Sequence, residues 1–160
     1  MGDRAEEDRA YGNHGNTYQS KGVFSKAIEY RTHTQDLAIA NQVGNRAGEG
    51  RAHANLGNAY GSHGDFSKAI EHHAQHLAIA MVVGDWAGEG KAHGNLGTCH
   101  MYLNEYVKAV AYHKAQHALA ISLKLAHLQS HAALNMGVAL TLHVLAVAMA
   151  LLGLTKNWTA

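Results

Sequence analysis

Ala54-Asn55-Leu56-Gly57-Asn58-Ala59-Tyr60 returns one period later as Gly94-Asn95-Leu96-Gly97-Thr98-Cys99-His100. The same segment stands upstream as Gly12-Asn13-His14-Gly15-Asn16-Thr17-Tyr18 and downstream as Leu134-Asn135-Met136-Gly137. The glycines Gly15, Gly57, Gly97 and Gly137 are 42, 40 and 40 residues apart. A fixed period in that range marks a helical repeat array. Such an array is an all-α solenoid with an extended binding surface rather than an enclosed catalytic pocket.

Within one period the pattern resolves into two helices. Asn45 is placed to cap a helix running from Arg46 to about Ser62, and Gly64-Asp65 breaks it. A second helix starts near Phe66 and carries Ala69, Ile70, His73, Leu77 and Ala80 along one stripe. Gly84 follows about Val82 as a C-terminal cap. Each unit is therefore an antiparallel helix pair with a short glycine turn. A glycine inside a helix costs roughly 1 kcal/mol against alanine, so its recurrence implies close packing. The expected partners are Gly57 with Ala69, Gly15 with Ala27 and Gly97 with Ala109. Leu56, Tyr60, Phe66 and Leu77 fill the space around them.

The order Leu56-Gly57, Tyr60, Gly64, Phe66, Ala69 resembles the tetratricopeptide repeat. The 40-residue form, with Gly84-Asp85-x-Ala87-Gly88-Glu89-Gly90 joining units, is similar to the repeats of Pins-like G-protein signalling modulators. The resemblance implies a tetratricopeptide-type helical-hairpin solenoid of about three and a half repeats. Residues 1–126 would form three helix pairs. Residues 127–160 would form the first helix of a fourth, degenerate repeat that continues into an apolar C-terminal helix. The sequence contains no GoLoco segment, so the resemblance does not extend to binding a Gα subunit.

Bulk properties narrow the function. Thirteen basic and twelve acidic residues leave a formal charge of +1, too little to draw in nucleic acid or an anionic membrane. Cys99 is the single cysteine, which rules out an internal disulfide and suits a reducing, cytoplasmic setting. The first residues are polar and acidic, without a signal-peptide pattern. Proline is absent, as suits long helices joined by glycine turns.

The C-terminal part departs from the repeat. From Met136 to Leu154, nineteen residues are interrupted only by Thr141 and His143. This approaches the ~20 apolar residues that span a bilayer. The stretch reads either as a helix packed against the third unit or another subunit, or as a membrane contact through residues 138–154.

Recognition is expected from an amide ladder. Asn13, Asn55, Asn95 and Asn135 precede the repeat glycines, and Asn16, Asn58 and Thr98 follow three residues later on the same helix face. An asparagine offers two donors and an acceptor, the complement of a peptide backbone. Arg9, Arg51 and Lys91, four residues earlier, add cations for ligand carboxylates. In related repeats the matching positions of the first helix line the concave surface. The other reading of these asparagines is that they bond neighbouring units and fix solenoid geometry. The expected partner is a protein or peptide segment, with no cofactor or metal.

The chemical alternatives are weak. His72/His76, His113/His117 and His127/His131 have metal-pair spacing, but no carboxylate or cysteine stands beside them at ligand spacing. His33, His73 and His113 recur at the repeat period, as do His53 and His93, which is what structural positions do. Cys99 reads as a small core residue. No catalytic constellation is visible.

The first unit carries one irregularity. Ala27 and Leu37 are ten residues apart, against eight between Ala69 and Leu77. Two extra residues turn a helix by about 200°. Residues 24–41 should therefore exchange amide hydrogens faster than residues 66–82. Equal protection of the two segments would show that a bulge absorbs the insertion at little cost.

Overall fold

The computed structural model describes residues 46–152, together with Lys26, Ile28 and Glu29. Within residues 46–152 five helices follow one another: α1 (Arg46–His63), α2 (Phe66–Val83), α3 (Trp86–Tyr102), α4 (Tyr106–Ser122) and α5 (Ala126–Leu151). Each packs mainly on its neighbours in sequence, α1 on α2, α2 on α3, α3 on α4 and α4 on α5. That nearest-neighbour order defines a helical-repeat solenoid. The first-unit insertion, the Gly15/Ala27 pair, the Asn45 cap, Arg9, Asn13 and Asn16 lie outside the described residues.

The turns explain where the helices stop. Gly64 and Gly84 take left-handed φ values of 88° and 72°, open to glycine without steric cost. Asp65 and Asp85 then cap the next helices, accepting from the backbone N–H of Lys68 at 3.1 Å and of Gly88 at 2.8 Å. The signals weaken down the chain. Asn104 replaces Gly64 and still reaches φ 60°, while Lys124 replaces Gly84 at φ 55°. Glu105 stands where Asp65 would and Leu125 where Asp85 would, and neither makes a side-chain cap. In the next repeat Val144-Leu145 occupies the Gly64-Asp65 position. With neither a left-handed residue nor a cap there, α5 runs on to Leu151, reaching 26 residues against 17 or 18 for the others.

The core corrects one expectation. Gly57 does not face Ala69. Its side of α1 receives the imidazole of His73, whose ring atoms would lie 2.5–2.8 Å from an added β-carbon. Gly97 receives His113 in the same way, at 2.6–2.8 Å. Gly61, one turn on, is the residue that meets Ala69, at an ordinary 3.8 Å. The physical reason is the length of the imidazole, which fills the space a pair of bare backbones would otherwise close. The rings are enclosed, His73 at 2% and His113 at 0% exposure, among fully buried Leu56, Leu96, Ala69 and Ala109.

A second ring motif alternates between units. Tyr60 stacks on His72 with centroids 5.3 Å apart, and His100 stacks on Tyr112 at 5.2 Å. Position for position, tyrosine and histidine have exchanged places while the stack is kept. Phe66 stacks on Tyr102 at 4.5 Å and links the second unit to the third.

Ala69 is fully buried beneath this packing. Ala69→Leu should therefore destabilise the protein by about 1–3 kcal/mol through overpacking against Gly61. Thermal unfolding matching that of the parent would show that the α1–α2 interface has spare volume.

Candidate binding face

The first helices of successive pairs present one continuous polar face. On α1, Arg51, Asn55, Asn58 and Ser62 are spaced three or four apart and are exposed or half-buried. On α3, Lys91, Asn95, Thr98 and Tyr102 repeat the spacing. The Nδ2 of Asn95 donates to Oδ1 of Asn58 at 3.2 Å, joining the two helices. This bond fixes the spacing of neighbouring units. It leaves the Nδ2 hydrogens of Asn58 and the Oδ1 of Asn95 for a ligand.

An open cleft of about 390 Å³ lies beside this pair. Asn58, Asn95 and Thr98 line it, as do Ser62, Phe66, Tyr102 and, at its floor, Gly57, His73 and Cys99. Three of the residues read from the sequence thus come together. Arg51 and Lys91 are exposed on the same helix faces, one to two turns toward the N-terminal ends, and do not line the cleft. Asn55 is half-buried and also outside it. Asn135 sits on α5, 3.5 Å from Nδ1 of His131.

The hydroxyls are engaged locally. Ser62 donates to the carbonyl of Asn58 at 2.9 Å, and Thr98 to that of Gly94 at 3.0 Å. The aromatic wall, Phe66 on Tyr102, was missed in the sequence. Tyr102 occupies the repeat position of Ser62, and this change from small to aromatic was the available signal. The charges at the turns that follow α1 and α3 are held in local pairs. Asp65 pairs with Lys68 at 3.2 Å, and Glu105 with both Lys108 at 3.0 Å and His100. The backbone N–H of Lys68 holds the Asp65 carboxyl below its ordinary value, and Lys108 followed by His100 does the same for Glu105.

Burial shifts the titration of the residues with chemical potential. Burial pushes the Cys99 thiol up to about 11, so a thiolate nucleophile is not populated at neutral pH. Burial, reinforced by the neighbouring His76 and His72, pushes His73 down to about 4. His53, His72, His76, His93 and His113 are also lowered, with burial the leading cause in each. Nδ1 of His53 and of His72 lie 3.1 Å apart, close enough to share one proton. Among the described residues no three histidine, cysteine or acidic side chains cluster as a metal site would need.

Residues 6–81 match the family model described as the tetratricopeptide repeat. The architecture is that of tetratricopeptide solenoids, and the helix-pair pattern continues past the matched segment through α4. The TPR domain of Arabidopsis FLU superposes with a TM-score of 0.69 at 22% identity, over 74% of this chain and 98% of that one. The apo form of RapI gives 0.71 at 16% identity, over 86% of this chain and 53% of that one. Nearly identical TPR-like repeats from Podosopora anserina give 0.68 at 19%, over 98% and 79%. No match is found among curated protein sequences. The chain thus has the tetratricopeptide-type helical-repeat fold, with the family model accounting for residues 6–81.

The buried imidazoles set a pH dependence. His73 has its native value lowered from 6.5 to about 4. Between those values the unfolded chain binds a proton that the native chain does not, so stability is complete above about pH 6.5 and falls as pH drops toward 4. His73 alone should remove about 2 kcal/mol between pH 7.5 and pH 5. Urea midpoints at the two pH values measure it. A flat profile would mean that the ring is not held neutral in the core.

Proposed function

We propose that the chain is a non-catalytic scaffold that binds an extended peptide or protein segment along the α1–α3 face. The observation that carries this reading is the cleft itself, where the Asn58–Asn95 amide pair stands beside the Phe66–Tyr102 stack. Amides match a peptide backbone, and the paired rings give an apolar side chain a surface to lie on. Arg51 and Lys91 extend the face as exposed cations and favour a segment with a carboxylate at that end. Asn135 continues the ladder onto α5, and Asn13, Asn16 and Arg9 are assigned the same role in the first unit by repeat position. The glycine-rich joint from Gly84 to Gly90 supports a relationship to Pins-like modulators at the level of the repeat. The working compartment in this proposal is the cytoplasm.

A second reading is favoured by one observation. α5 leaves Leu134, Val144 and Leu151 at 65%, 65% and 83% exposure, and Gln129–Leu151 is long and apolar enough to cross a membrane. In that reading the chain is a structural subunit, or membrane-associated, docked through residues 138–154.

Peptide-array binding with purified protein separates the two. Asn55→Ala combined with Asn58→Ala should weaken binding by about 1–3 kcal/mol for each peptide hydrogen bond lost, with helicity intact by circular dichroism. Arg51→Ala should act more weakly, and its effect should shrink as salt rises. Substitutions at exposed Glu71 or Gln75 on α2 should leave binding unchanged. Binding that survives loss of both asparagines but fails on removal of residues 138–160 would transfer the function to α5.

A further inference from the structure

Gly57, Gly97 and Gly137 hold one position in three successive repeats, yet only the first two are filled. The following helix seats His73 against Gly57 and His113 against Gly97, while an added β-carbon at Gly137 meets nothing within 4 Å. The reason lies in the lost turn. Because Val144-Leu145 replaces the breaker pair, α5 continues straight where a returning helix would have begun.

A furrow remains along the outer half of α5. Gly137, Thr141 and Ala148 form its floor, with Leu134 and Val138 on one wall and Leu140 and Val144 on the other. Two hollows of about 460 and 440 Å³ follow one another along it and share Thr141. The opposite half of the helix, marked by buried Ala132 and Ala139, lies toward α4.

We propose that this furrow is the seat for α5 of a second copy of the chain, the two helices packing ridge into groove about a twofold axis. α5 carries both the ridge and the groove that such a self-complementary contact requires. From Gln129 to Leu151 it has no aspartate, glutamate, lysine or arginine, so two copies meet without burying or opposing charges. Leu134, Val138, Leu140, Val144, Leu145 and Leu151 are exposed at 42–83%. Together they expose on the order of 600 Å², the low end of what a specific complex buries per partner. A bilayer suits the helix less well. α4 lies along its inner side with Lys108 and Lys114 exposed, and hydrocarbon would have to strip that helix away or take up its charges.

Sedimentation equilibrium of the full chain without detergent tests the proposal. The parent should sediment at twice the 17.2 kDa chain mass. Gly137→Leu fills the furrow in open space within the protomer and replaces glycine by a better helix former. It should weaken self-association at least tenfold with unchanged helicity. Val144→Glu, which puts a charge on the exposed wall, should do the same. A monomeric parent would overturn the proposal, and so would a dimer indifferent to both substitutions. Sensitivity to Val144→Glu alone would overturn the furrow as the seat. A monomer that co-sediments with uncharged phosphatidylcholine vesicles would make lipid the occupant. None of these outcomes depends on the α1–α3 cleft, which the peptide array reads separately.

Discussion

An imidazole seated on a bare helix backbone sets the spacing of every complete helix pair described. His73 lies on Gly57 and His113 on Gly97, each within 3 Å of where a β-carbon would stand. Both rings are almost fully enclosed, and Nδ1 of His73 has no hydrogen-bond partner. Such groups are costly to bury, and the cost is least when the ring is neutral. The lowered values of these histidines and the glycines opposite them are two consequences of the same packing. Most of the remaining core consists of alanine and leucine and adapts around that contact.

The turns act as a graded series along the chain. Glycine with aspartate gives a left-handed residue and a side-chain cap at Gly64-Asp65 and Gly84-Asp85. The pairs Asn104-Glu105 and Lys124-Leu125 keep the left-handed residue but lose the side-chain cap. Valine and leucine keep neither, and the helix does not end. A β-branched residue in the left-handed region is strained, so Val144 continues in the helical conformation. The change at Val144-Leu145 thus turns a helix pair into one long helix, and Gly137 meets no returning helix. The open furrow and the interaction proposed for it follow from that change in turn chemistry.

The period and the alternation of helices were legible in the sequence because each unit repeats its own breakers. The bounds of α2 and the full burial of Ala69 were readable from one stripe of small residues. The partner of Gly57 was not. Spacing identifies which residues share a face, but not how far a side chain reaches across the interface, and the long imidazole of His73 displaced Ala69 from the expected contact. In the candidate binding face, Asn58, Asn95 and Thr98 were legible as repeated amide and hydroxyl positions. Tyr102 was not, because it breaks the repeat at the position of Ser62. The bond from Asn95 to Asn58 joins the units, as the structural reading of the ladder expects for this pair, and the proposed recognition would use the donors it leaves.

Two glycines on α1, one turn apart, give the most direct test of the imidazole seat. An alanine at Gly61 would make an ordinary contact, 3.8 Å from Ala69, whereas at Gly57 it would meet the enclosed ring of His73 at 2.5 Å. Both substitutions improve helix propensity by up to about 1 kcal/mol. Urea denaturation at pH 7.5 should find Gly61→Ala equal to or more stable than the parent and Gly57→Ala clearly less stable. A Gly57→Ala protein as stable as Gly61→Ala would contradict the claim that the histidine on glycine sets the spacing of the helices.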